Sequence, residues 1–200
     1  MSHQSYHHGD LKAELIRAGL KLLDQEGYEG FSLRKVAKAC NVSQTAPYRH
    51  FKNKEELITA ITVEALRAFN DVLEQAININ PDNPKKQLTE MGVAYIKFFV
   101  ENPEYLRLLF LSNIKDKMTA YYECDRSFCD GKDPFQTFYD TLMRYATAYP
   151  EHNMNELLLY SWGLVHGIAI LVANKDVPPE GDYLTLSRNI IEIGFKVMDH

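Results

Sequence analysis

The chain has 200 residues and 46% hydrophobic content, enough to bury a core in one domain or in two small ones. A formal net charge of −5 excludes a protein that coats nucleic acid non-specifically over its whole surface. The charge is uneven, however: residues 1–60 hold nine Lys and Arg against seven Asp and Glu, and the remainder thirteen against twenty, so positive potential is confined to one end.

The opening residues, MSHQSYHHGD, are polar, so no secretory leader is expected from them. The three cysteines, Cys40, Cys124 and Cys129, do not form the framework of a secreted disulfide protein, so the expected location is cytoplasmic. The first predicted helix runs from Asp10 to Glu26, with Leu11, Leu15, Ala18, Gly19 and Leu22 inward, Asp10 as N-cap and Gly27 as stop.

The next stretch, Phe31 to Lys54, organises the rest. Leu33, Val36 and Ala37 give a short helix a narrow apolar face, and Ser32 stands in its N-cap position. Asn41 tolerates the left-handed backbone that ends such a helix at Cys40. Val42 then fills the corner and Ser43 caps a second helix, expected from Gln44 to about Phe51. Pro47 falls at the end of its first turn, where a missing N–H costs least and some local distortion is expected. Asn53 and Glu56 form a capping box that starts a further helix and presents Lys54 at its positive end. Two short helices around a tight turn make a helix-turn-helix, whose second helix can enter a DNA major groove. Gln44, Thr45, Tyr48 and Arg49 carry the groups suited to base edges and phosphates, and Lys54 suits a phosphate clamp.

Ser43, Pro47, Tyr48, His50, Phe51, Lys54, Glu55 and Leu57 match a pattern like S-x-x-x-L-Y-x-H-F-x-x-K-E-x-L. In this the segment resembles the TetR/AcrR family of bacterial transcriptional regulators. Pro47 in place of an aliphatic residue and Asn41 in place of a glycine depart from that pattern, and neither removes a DNA-facing group. The resemblance implies a dimeric DNA-binding repressor, or less often an activator, released by a small ligand. It places Ser32, Arg34, Ser43, His50 and Lys54 beside the four reading residues as DNA contacts. The YHHGDL opening is similar to that of some members; the expectation for it is either an arm along the DNA backbone or minor groove or, in the free protein, a disordered tail.

From Lys54 an apolar pattern continues for about six turns to Ala76, and INPDNP ends it. This long helix is the natural lever between the head, residues 1–53, and the body, residues 54–200. Helices are expected over Pro84–Val100, from Pro103 through PEYLRLLFL, over Phe135–Tyr149 behind Asp133-Pro134, from Asn153 or Asn155 to about Asn174, and over Asp182–His200. Ser112 to Lys132 is polar and divides between helix and loop. The fold class is therefore all-α.

The penultimate helix is apolar nearly all round, yet Ser161 and His166 interrupt the run and leave it short of a clear membrane span. A second copy of the last two helices is the simplest cover, with Gly163 and Gly167 allowing close approach; as the core helix of one monomer it would need no partner. Trp162, His166 and Gly167 resemble the W-x-x-x-H-G signature of one C-terminal subclass of the family, in which these helices form the dimer contact.

An effector pocket is implied by the resemblance. Its candidate wall is Phe69, Met91, Tyr95, Phe98, Phe110, Phe138, Met143, Trp162 and His166, suited to an aromatic or amphipathic ligand, although aromatics at helical spacing are more often plain core. Cys124 and Cys129 invite a redox-sensor reading, with Arg126 but no basic cluster beside them to favour the thiolate. No metal spacing, nucleophile elbow, phosphate loop or paired acids point to an enzyme, and no cofactor is expected.

Overall fold

The computed structural model describes residues 11–111, 133–176 and 182–198. Among these there are eight α-helices and no strand. They are α1 (Leu11–Gly30), α2 (Leu33–Ala39), α3 (Lys54–Ile77), α4 (Pro84–Glu101), α5 (Pro103–Leu106), α6 (Pro134–Ala148), α7 (Met154–Ala173) and α8 (Tyr183–Met198). The amino-terminal arm, the 112–132 stretch and both Cys124 and Cys129 lie outside the described residues.

The chain divides into two compact units. The first comprises the described residues of Met1–Ala65 and Arg107–Asp125. Its core is Leu15, Leu20 and Leu23 of α1, Phe31, Leu33, Val36 and Ala37 around α2, and Phe51, Leu57, Ile58 and Ile61. The inward face of α1 is thus rotated from the expected one: Leu20 and Leu23 are buried, while Leu11 and Leu22 are half-exposed. Gly19 explains the close approach of α1 to α3, since a Cβ there would meet Ile61 Cδ1 at 2.8 Å. Gly27 breaks the helix axis at φ 67°, ψ −178°, a conformation essentially reserved for glycine, so the chain turns before Tyr28. Arg107 opens a π-helical turn, Arg107–Leu111, in place of the continuous short helix expected there. Its guanidinium holds Asp24 of α1 in a two-pronged ion pair, at 2.5 and 2.8 Å.

The second unit, Leu66–Leu106 and the described residues of Arg126–His200, is built round α4, which packs against α6, α7 and α8. Side-chain caps define the helix starts: Asn83 accepts from Lys86 N–H, Asp133 from Phe135 N–H, Asn153 from Asn155 and Glu156 N–H, and Asp182 from Leu184 N–H. Leu88, Ile96, Leu142, Tyr145, Leu157, Ile191 and Phe195 form its main apolar cluster. Buried Gln87 donates to the carbonyls of Ile77 and Pro81, so the 78–83 loop is closed by hydrogen bonds that would otherwise be missing. Arg188 of α8 clasps Glu90 of α4 through two bonds, which holds the Glu90 carboxyl below its ordinary range.

The last two helices leave much apolar surface uncovered. In α7 only Leu157 and Ala169 are buried, whereas Leu159 is 77% exposed. Leu159, Gly163, Gly167 and Leu171 fall at successive intervals of four residues, on one stripe of the helix. Apart from the adjoining residues and the helix's own backbone, no atom among the described residues lies within 4 Å of where a Cβ would stand on either glycine. Leu186 and Ile193 of α8 are exposed as well. By length and composition α7 is the one helix among the described residues apolar enough to cross a bilayer, despite Ser161 and His166.

Candidate nucleic-acid interface

The turn after α2 begins with Asn41, whose φ of 55° places it in the left-handed region. Its N–H bonds back to Lys38 C=O at 3.1 Å and that of Val42 to Ala37 C=O at 3.0 Å, the paired pattern of a Schellman motif. At the start of α2, Ser32 Oγ accepts from Lys35 N–H at 3.3 Å. The Ser32 hydroxyl is therefore engaged as a cap.

The regular helix expected from Gln44 to Phe51 is corrected by the structure to a turn followed by a 3₁₀ helix, Pro47–Arg49. Pro47 has no N–H to return to Ser43, and its ring crowds that carbonyl. The chain tightens instead: Ala46, Tyr48, Arg49 and His50 donate to the carbonyls three residues back. Ser43 does not cap a backbone N–H; its hydroxyl lies 3.2 Å from that of Thr45. Pro47 and Phe51 are buried, so the proline fills the core position that the aliphatic residue would occupy.

Burying those two residues turns the polar ones out. Ser43, Gln44, Thr45, Tyr48 and Arg49 are exposed, with His50 half-buried beside Phe51. A shallow hollow of about 380 Å³ continues this surface across α2, lined by Arg34, Lys35, Lys38, Asn41, Val42 and Gln44. Its cations are not equivalent. Lys35 is paired with Glu26 and donates to Gly30 C=O, whereas Arg34 and Lys38 have no ion pair among the described residues. Lys38 was not among the sequence candidates; its position one turn after Arg34 is the signal that could have found it.

Asn53 Oδ1 accepts from Glu56 N–H at 2.8 Å, half of the expected capping box. The returning bond comes from the N–H of Lys52, at 2.6 Å from Glu56 Oε2, one residue earlier than the box requires. Lys54 does not stand free at the helix end: its ammonium lies 3.9 Å from the Tyr28 ring centre and donates to Tyr28 C=O at 3.3 Å.

The nine candidate effector residues fall in several packing environments. Phe69, Tyr95 and Phe98 interlock with Phe99, with ring centres 4.8–5.3 Å apart, and Met91 is also buried. Tyr95 Oη lies 2.7 Å from His166 Nδ1, and burial pushes the phenol up and the imidazole down, so both stay neutral. Phe138 instead packs on the Leu142–Tyr145 cluster. Met143 and Trp162 are partly exposed, Trp162 against Phe135, and Phe110 belongs to the first unit. Burial raises the thiol of Cys40, the one cysteine described, which makes it a poor nucleophile.

Two family models match the chain. The N-terminal model of the tetR family of bacterial regulatory proteins covers residues 15–61, and the tetracyclin repressor-like C-terminal domain covers residues 88–191. The chain belongs to the TetR family. The C-terminal match includes Trp162, His166 and Gly167. Among TetR relatives, an uncharacterized HTH-type regulator YobS of Bacillus subtilis is 27% identical over 52% of this chain and 53% of its own length. The class A tetracycline repressor from transposon 1721 of Escherichia coli is 45% identical over 28% of this chain and 26% of its own. The match to the first of these curated relatives spans about half of their length. The transcriptional regulator FadR of Bacillus subtilis, solved with stearoyl-CoA, shares the fold with a TM-score of 0.63. It is 15% identical, over 90% of this chain and 95% of that one. These families and relatives are transcriptional regulators, not enzymes.

Proposed function

We propose that this TetR-family protein is a ligand-responsive repressor that binds a palindromic operator as a homodimer and is released by a small molecule. The observation that carries the reading is the outward set Gln44, Thr45, Tyr48 and Arg49, presented beside a hollow whose Arg34 and Lys38 have no ion pair among the described residues. Amide, hydroxyl, phenol and guanidinium suit base edges and phosphates, while Arg34, Lys38 and Lys54 supply sequence-independent attraction. Ser43 and His50 flank the set as further phosphate contacts, and Ser32 contributes by fixing the start of α2.

In this reading residues 1–53 bind DNA in the cytoplasm, and residues 54–200 bind effector and pair the subunits. The stripe Leu159–Gly163–Gly167–Leu171 with Leu186 and Ile193 supports pairing through α7 and α8, because an apolar surface of this kind on a DNA-binding protein needs a cover. The effector is aromatic or amphipathic and is received near Phe69, Tyr95 and His166. The stearoyl-CoA complex of the B. subtilis regulator makes a long-chain acyl-CoA the first probe to try.

Selection from a random duplex library tests this directly. The expected product is an inverted repeat whose half-site centres lie about one duplex turn apart, ~34 Å, or a multiple of it. Enrichment of a single unsymmetrical half-site would refute the paired reading, and no enrichment at all would refute DNA recognition.

A further inference from the structure

At the head of α3 the first-turn carboxylates of Glu55 and Glu56 flank the lysine that should meet a phosphate. Left free, either could pair directly with the Lys54 ammonium and occupy the donors a phosphate needs. Neither is free. Glu56 is taken up by the N–H of Lys52, and Glu55 accepts from the Tyr28 hydroxyl at 2.9 Å. The same tyrosine presents its ring 3.9 Å below the Lys54 ammonium and its carbonyl 3.3 Å from it. Gly27 contributes to this placement, since its positive φ kinks α1 just before Tyr28.

We propose that Tyr28 is the positioning residue for the Lys54 phosphate contact, holding the ammonium over its ring while its hydroxyl draws Glu55 aside. The inference rests on reading Lys54 as a phosphate contact. An ammonium has three donors, and the Tyr28 carbonyl uses one, so two stay available to a phosphate oxygen. The aromatic face attracts the cation without consuming a donor. A long, flexible side chain is thereby ordered before DNA arrives, and the cost of immobilising it falls on folding rather than on binding.

The test uses full-length protein and a labelled duplex selected by the wild type, with affinity measured as a function of salt. Lys54→Gln should weaken binding and lower the slope of log K against log salt by about one. Tyr28→Leu should weaken binding by about threefold, the scale of an exposed cation–ring contact, and should have no further effect in the Lys54→Gln background. Tyr28→Phe keeps the ring but frees Glu55, so it should fall between wild type and Tyr28→Leu. Thermal melts confirm that each variant is folded. If Tyr28→Leu costs the same in both backgrounds, Tyr28 serves only the fold and the proposal is overturned. It is also overturned if Lys54→Gln weakens binding and Tyr28→Leu does not. No effect from Lys54→Gln itself would remove the phosphate contact, and with it anything for Tyr28 to position.

Discussion

The head and the aromatic core of the body use similar residue types to opposite ends. In the head, Pro47 and Phe51 are buried, and the residues between and before them are thereby forced outward, available to a partner. In the body, Phe69, Tyr95, Phe98 and Phe99 face one another and satisfy one another. An aromatic or polar side chain acquires a binding role when its neighbours leave it no partner within the chain. The same side chain among complementary neighbours is packing.

Breaking the body's aromatic cluster should give the largest effect. Phe69→Ala should destabilise the protein by about 3–5 kcal/mol in urea unfolding, as expected for a well-packed core phenylalanine. A cost under ~1 kcal/mol would mean that Phe69 is not held by this cluster and borders open space.

The uncovered stripe on α7 is the next contrast. Leu159→Arg changes a residue 77% exposed in the isolated chain, so it should leave folding nearly intact while shifting sedimentation from dimer to monomer. The expected loss of association is about 2 kcal/mol or more, the scale of a central interface residue. An unchanged dimer would put pairing elsewhere.

Within the head, Gln44→Ala or Tyr48→Ala should cost about 1–3 kcal/mol on a selected duplex and much less on random DNA. Arg34→Gln and Lys38→Gln should instead weaken both duplexes alike and each lower the salt slope by about one. Equal behaviour of the two classes would dissolve the distinction between reading residues and phosphate contacts.

The smallest effect concerns pH. Burial depresses the His166 imidazole in the folded state, so the unfolded chain binds more protons below its ordinary pKa of about 6.5. The neutral Tyr95–His166 contact therefore contributes stability that is fully present above that value and declines as pH falls below it. His166→Gln should flatten the pH dependence of the melting temperature between about pH 5 and 7.

Much of the head was legible because its determinants are local. Ser32, Asn41 and Asn53 act on backbone groups within four residues of themselves, and such signals survive in the sequence. A local distortion at Pro47 was legible from its missing N–H, but the 3₁₀ form it takes depends also on how the ring crowds the Ser43 carbonyl. Lys54 was placed correctly at the start of α3, but its partner Tyr28 lies 26 residues earlier, beyond any periodicity argument. The body's pairings are more distant still: Tyr95 meets His166 and Asn70 meets Thr137, separations of 71 and 67 residues that depend on how α4 packs on α7 and α3 on α6. Helical spacing alone could put nine residues on apolar faces. It could not show that Phe138 joins one cluster, Phe69 another, and that Met143 and Trp162 lie toward the surface.

The central claim is that the outward set on the head discriminates among DNA sequences. Its most direct test is the affinity of the wild-type protein for a selected duplex against a scrambled duplex of the same length and composition, at physiological salt. The account predicts a preference of ~10³ or more. Affinities within a few-fold of each other would contradict it.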